Sequence, residues 1–126
     1  MRWIRTFDGT PQSVKAARQF VTDALLGTPR ETVDAIVLMV SELASNSVRF
    51  ADSKFTVHIQ RVRRQIRVEV SDGGGGTPTL RFAQPQDLSG RGLMIVQAMS
   101  EEWGVAPSRP PPGKSVWFTV SPTSAS

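Results

Sequence analysis

Residues 54–71 constrain the fold more than any other stretch of this chain. Apolar side chains fall at every second position twice in succession: Phe55, Val57 and Ile59, then Ile66, Val68 and Val70. A strand places successive side chains on opposite faces. Thr56, His58 and Gln60 therefore share the second face of the first run, and Arg67, Glu69 and Ser71 that of the second. Arg63-Arg64-Gln65 turns the chain between them, which predicts an antiparallel hairpin. Its apolar face needs cover from elsewhere in the sequence.

That cover is legible upstream. Val14, Ala17, Phe20, Val21, Ala24 and Leu25 recur at spacings of three and four, one stripe of a helix. Ser13 reads as its N-cap and Gly27 as its stop. A second helix is predicted from about Glu31 to Phe50, with Val33, Ile36, Val37, Val40, Leu43 and Val48 apolar. Trp3 to Phe7 reads as a strand, broken by Gly9-Thr10-Pro11. Downstream, residues 72–89 hold four consecutive glycines and two prolines. This predicts a long loop of the kind that forms lids. Gly90 to Met99 reads as a helix, Trp103 to Ala106 as a short strand and Ser115 to Val120 as a final strand. Residues 1–120 make a single domain, with 121–126 a flexible tail. The order predicts an α+β two-layer sandwich, helices packed on one face of a mainly antiparallel sheet.

Composition narrows the chemistry. The 126 residues include no cysteine, which excludes a disulfide scaffold, thiol catalysis and thiolate metal sites. A single histidine excludes a multi-histidine metal centre. No signal-peptide pattern opens the chain, and no apolar run reaches the ~20 residues of a membrane helix. The expected setting is cytoplasmic. Fifteen basic against eleven acidic residues give a net charge of +4. Arg61, Arg63, Arg64 and Arg67 mark an exposed hairpin, and no aromatic residues interleave them. Direct nucleic-acid binding has little support from such a pattern.

Three segments carry chemistry. Glu42 and Asn46, four apart, share one helix face and offer two hard oxygen donors suited to Mg²⁺. Alone, the pair reads more simply as the exposed polar patch of an amphipathic helix. Asp72 ends a strand and meets Gly73 to Gly76, where backbone can approach a ligand closely. An acid there can accept a hydrogen bond from an exocyclic amine, though the glycines also suit a merely flexible loop. Gly90-Arg91-Gly92-Leu93 opens a helix, where free N–H groups favour an anion; the simpler reading is a helix-starting turn. Gly113-Lys114-Ser115 imitates the end of a phosphate-binding P-loop. However, Ser108 stands where that pattern needs glycine, and a strand follows instead of a helix.

In order, the three segments resemble the N box and the two glycine boxes of the GHKL ATPase superfamily. The closest likeness is to the small bacterial anti-sigma factor serine/threonine-protein kinases. Ser41-Glu42-Leu43-Ala44-Ser45-Asn46 matches their N box. Asp72, Gly74 and Gly76 match the first glycine box, and Gly90 to Leu93 the second. The resemblance runs from Phe7 to Phe118. It implies a Bergerat fold that binds ATP and Mg²⁺ beneath a long lid. By that resemblance Asn46 coordinates the metal, and Glu42 is catalytic, acting as general base or orienting the attacking hydroxyl. Asp72 reads the adenine amine, with Ser115 as a helper. Gly74 and Gly76 make room for the base and hinge the lid. Gly90, Arg91, Gly92 and Leu93 receive the phosphates, and Arg81 contacts the γ-phosphate. The implied function is sequestering a sigma factor, as a homodimer, and phosphorylating an anti-sigma antagonist of the STAS type. A non-catalytic ATP-binding interaction module of the same fold is the alternative. A detached histidine-kinase catalytic domain ranks lower, because no helical segment with a phospho-acceptor histidine is present. Two positions depart from the pattern: Phe50 stands where many relatives have histidine, and Ser47 replaces a common alanine.

Overall fold

A computed structural model describes residues 1–51, 54–73, 92–107 and 113–122, with the backbone alone at 50 and 51. The predicted hairpin is its centre. Strand β2 (Phe55–Val62) pairs antiparallel with β3 (Gln65–Asp72), from Phe55 opposite Asp72 to Val62 opposite Gln65. The two-residue turn puts Arg63 at φ +55°, the left-handed conformation that tight hairpins favour. Strand β1 (Arg2–Phe7) adds to the free edge of β2. On the other side β5 (Lys114–Val120) pairs with β3, and β4 (Glu102–Pro107) with β5. The order is β1-β2-β3-β5-β4, antiparallel throughout.

Helices α1 (Pro11–Ala24) and α2 (Arg30–Asn46) pack together and cover the apolar face. The first begins two residues before the expected cap. Pro11 takes the first turn, where its missing N–H costs nothing, and Thr10 is the cap residue in extended conformation. It ends at Ala24, before Gly27, which adopts φ +90° in the following turn. Ile36, Met39, Val40 and Leu43 of α2 bury against Val57, Ile59, Val68, Val70 and Phe118 of the sheet. Each such side chain contributes about 1.5–3 kcal/mol when fully buried. Phe7 stacks on Phe55 at 5.2 Å between ring centres and meets Phe20 edge-on at 5.9 Å.

The expected helix to Phe50 changes its winding near its end. The α-helical pattern stops at Asn46, and Ser47–Ala51 continue as a π-helical turn. The Ser47 N–H is shared between the Ala44 and Leu43 carbonyls. Such widened turns shift side chains out of helical phase and occur often at functional sites. Helix α3 (Met94–Met99) packs against α2 and β4, preceded by a π turn at Gly92 and Leu93. Its expected start at Gly90 lies outside the described residues, as does the predicted lid from residue 74 onward.

Candidate functional site

The end of α2, the end of β3 and the start of α3 meet at one cleft. Its lining includes Leu43, Asn46, Ser47, Asp72, Leu93 and Lys114. The apolar stripe of α2 turns Leu43 and Ala44 into the core, leaving Glu42 and Asn46 half-buried on the flank of the helix. Gly92 packs directly on this flank. A Cβ added there would lie 2.8 Å from Asn46 Nδ2 and 3.7 Å from Glu42 Cβ. Only a residue without a side chain allows that approach. It brings a segment 46 positions beyond Asn46 (92 less 46) onto the same helix face.

Asp72 is the next element of the site. As the last residue of β3 it falls on the helix-facing side, in phase with Val68 and Val70, and is 5% exposed. Lys114 Nζ donates to its Oδ2 at 2.7 Å, and Ser47 Oγ lies 3.5 Å from the same oxygen. The ion pair is nearly dry, with the two side chains 9% and 2% exposed. In such surroundings each charge depends on the other, because removal from water is costly for either alone.

Ser115 is not brought to this cluster. Alternation along β5 points it to the opposite face of the sheet, where it pairs with Ser71, donates to the Glu69 carboxylate and lies 3.4 Å from Ser71 Oγ. Arg67 extends this outer network, with a 3.4 Å contact to Glu69 and its guanidinium 5.0 Å from the Trp117 ring. Lys114, one residue earlier, takes the place beside Asp72. Sequence reasoning set Gly113-Lys114-Ser115 aside as a P-loop and, by resemblance, named only Ser115 of the three as a site residue. The signal was available: counting back by twos from Phe118 and Val116 sets Lys114 on the apolar side. Leu93 is half-buried in the cleft wall. Gly74, Gly76, Arg81, Gly90 and Arg91 lie outside the described residues.

The residues present suit a nucleotide. A half-buried carboxylate and amide flank a glycine that permits close backbone approach, and a buried carboxylate lies at the far side of the cleft. Among the described residues no cluster of three His, Asp or Glu side chains could hold a metal unaided. No described helix is long and apolar enough to cross a membrane.

The fold is a two-layer sandwich with a cleft between the helical layer and the central strands. The chain belongs to the histidine kinase-like ATPase domain family, whose model matches residues 7–120. Its structure is similar to the crystal structure of the RsbU and RsbW domains of Rv1364c from Mycobacterium tuberculosis, with a TM-score of 0.72 at 19% identity. The match covers 96% of this chain and 32% of that one, and at this identity the likeness shows the fold. Comparison with curated protein sequences gives no significant match.

Proposed function

We propose that this chain is an ATP-binding anti-sigma factor with protein serine kinase activity, which sequesters a sigma factor and phosphorylates an antagonist protein. The observation that carries the reading is the convergence of three distant segments. Asn46, Asp72 and Leu93 line one cleft, and Gly92 packs on the Glu42–Asn46 flank of α2 beside it. The RsbW domain in the similar structure supports the regulatory part.

Bound ATP with Mg²⁺ supplies a transferable γ-phosphoryl group and neutralises its charge. Asn46 would hold the metal, its amide being a neutral oxygen donor suited to Mg²⁺. Glu42, four residues earlier on the same face, accepts the proton of the incoming serine hydroxyl as its oxygen bonds to phosphorus and the bond to the β-phosphate oxygen breaks. Asp72 accepts a hydrogen bond from the base amine. Gly92 and Leu93 offer backbone to the phosphates, joined in this reading by Gly74, Gly76, Arg81, Gly90 and Arg91. Phosphoryl transfer depends mainly on positioning and charge stabilisation, so this small set suffices.

Phe50, in place of the histidine of many relatives, favours a second reading in which nucleotide binding supports partner binding without transfer. Calorimetric titration with ATP, with and without Mg²⁺, tests the common part. Saturable binding that weakens in Asp72→Asn, and loses its Mg²⁺ dependence in Asn46→Ala, supports the nucleotide site. No binding at millimolar ATP rejects it. Phosphate transfer to a candidate antagonist, lost in Glu42→Ala while ATP binding persists, separates the kinase from the interaction module.

A further inference from the structure

The cleft contains a buried ammonium that the functional reading above does not use. Lys114 enters at the start of β5, in phase with Val116 and Phe118, so the register of a central strand fixes its side. Its partner is the carboxylate expected to read the base, at 2.7 Å, with both side chains more than nine-tenths buried. A buried ion pair is a poor source of stability compared with apolar residues of the same volume. Its presence at this carboxylate therefore points to recognition.

We propose that Lys114 selects the base: Asp72 and Lys114 form an acceptor–donor pair that reads a purine edge bearing an amine beside an unprotonated ring nitrogen. The proposal rests on the reading of this cleft as a nucleotide site. An ammonium carries three donors, so Lys114 can hold Asp72 and also donate to a ring nitrogen. Adenine presents this edge, with its exocyclic amine donating and N1 accepting beside it. Guanine presents the reverse order, an accepting oxygen beside a protonated N1. Because Lys114 and Ser47 both approach Oδ2, the carboxylate has a fixed orientation from which to take the amine. The competing role for the ammonium is that of an occupant which a base must displace. The two roles predict opposite responses to its removal.

The test is calorimetric titration of the full chain with Mg²⁺ complexes of ATP, GTP and 1-deaza-ATP, which keeps the amine but replaces N1 by C–H. Wild-type protein and Lys114→Met are compared, with thermal unfolding as a check on folding. Wild type is expected to bind ATP roughly ten- to a hundredfold more tightly than 1-deaza-ATP, the value of a hydrogen bond to a charged group. GTP is expected to bind more weakly than ATP. Lys114→Met is expected to lose a similar factor for ATP and to treat ATP and 1-deaza-ATP alike. Equal binding of these two by wild type overturns the proposal, whether or not the variant folds. Tighter ATP binding by Lys114→Met also overturns it and identifies the ammonium as a competitor. Absence of binding by every purine nucleotide removes the nucleotide site itself, an outcome distinct from equal binding.

Discussion

Gly92 sits so close to Asn46 that a methyl group on its Cα would lie 2.8 Å from the Asn46 amide nitrogen. The atom it meets is the far end of a side chain, which can rotate away. Gly92→Ala is therefore expected to fold, with a stability loss below about 1 kcal/mol. Its cost falls on the site. Turning the Asn46 amide aside should weaken Mg²⁺-dependent ATP binding by about tenfold, equivalent to about 1.4 kcal/mol. Thermal unfolding and calorimetry on the same sample check both halves. A large loss of stability with unchanged binding would show that the contact serves packing alone.

The Asp72–Lys114 pair predicts strong coupling in a double-mutant cycle. Asp72→Leu removes the carboxylate paired with a buried ammonium and is expected to destabilise the fold by about 3–5 kcal/mol, with Lys114→Met as the other single variant. Asp72→Leu combined with Lys114→Met replaces both charges by apolar groups and should recover most of that loss. Urea unfolding of the variants measures the coupling. Additive losses would contradict the description of the pair as buried and mutually dependent.

On the opposite face, Gly104 lies under Trp117. A Cβ at Gly104 would come within 2.7 Å of the indole Nε1 and 2.9 Å of two ring carbons. Here the neighbour is a rigid ring that also carries the Arg67 guanidinium. Gly104→Ala should cost about 1–3 kcal/mol by overpacking. That corresponds to a fall in melting temperature of about 3–12 °C for a domain of this size. Nucleotide affinity should not change, since the contact is on the far side of the sheet.

Phe55 tests the sandwich itself. It is 1% exposed and stacks on Phe7 at the pairing of β1 with β2. Phe55→Ala is expected to cost about 3–5 kcal/mol, read from the midpoint of urea unfolding. A cost below about 1 kcal/mol would mean that β1 is held mainly by its backbone hydrogen bonds.

The hairpin was readable because Phe55, Val57 and Ile59, and Ile66, Val68 and Val70, each keep a strict period of two. In an antiparallel pair that period determines which side chains face the helices. The helical cover was readable for the same reason at a period of 3.6. Boundaries were less so. The start of α1 moved from Ser13 to Pro11 because a proline that looks like a breaker is well placed in a first turn. The π turn after Asn46 left no mark, since apolar Val48 continues the helical spacing. Asp72, Asn46 and Gly92 were singled out through short motifs, and the structure brings Asn46 and Asp72 to one cleft with Gly92 packed on its flank. Ser115 was singled out and its neighbour Lys114 was not, because a motif fixes spacing along the chain without fixing sidedness. Only the alternation of β5 separates the two neighbours, one to the cleft and the other to Glu69.

The strand order has a further consequence for how the chain is made. β5, the last described strand in sequence, lies between β3 and β4, so an interior strand of the sheet is synthesised after both of its neighbours. Until Lys114–Val120 have emerged from the ribosome, β3 presents a bare edge of backbone donors and acceptors, which is a template for association with other chains. The early hairpin of β2 and β3 forms locally, but closure joins Ile66 to Val120 across 54 positions (120 less 66). Contacts so distant along the chain slow folding. Any truncation ahead of residue 114 would leave that edge exposed permanently, and aggregation during expression is the expected sign.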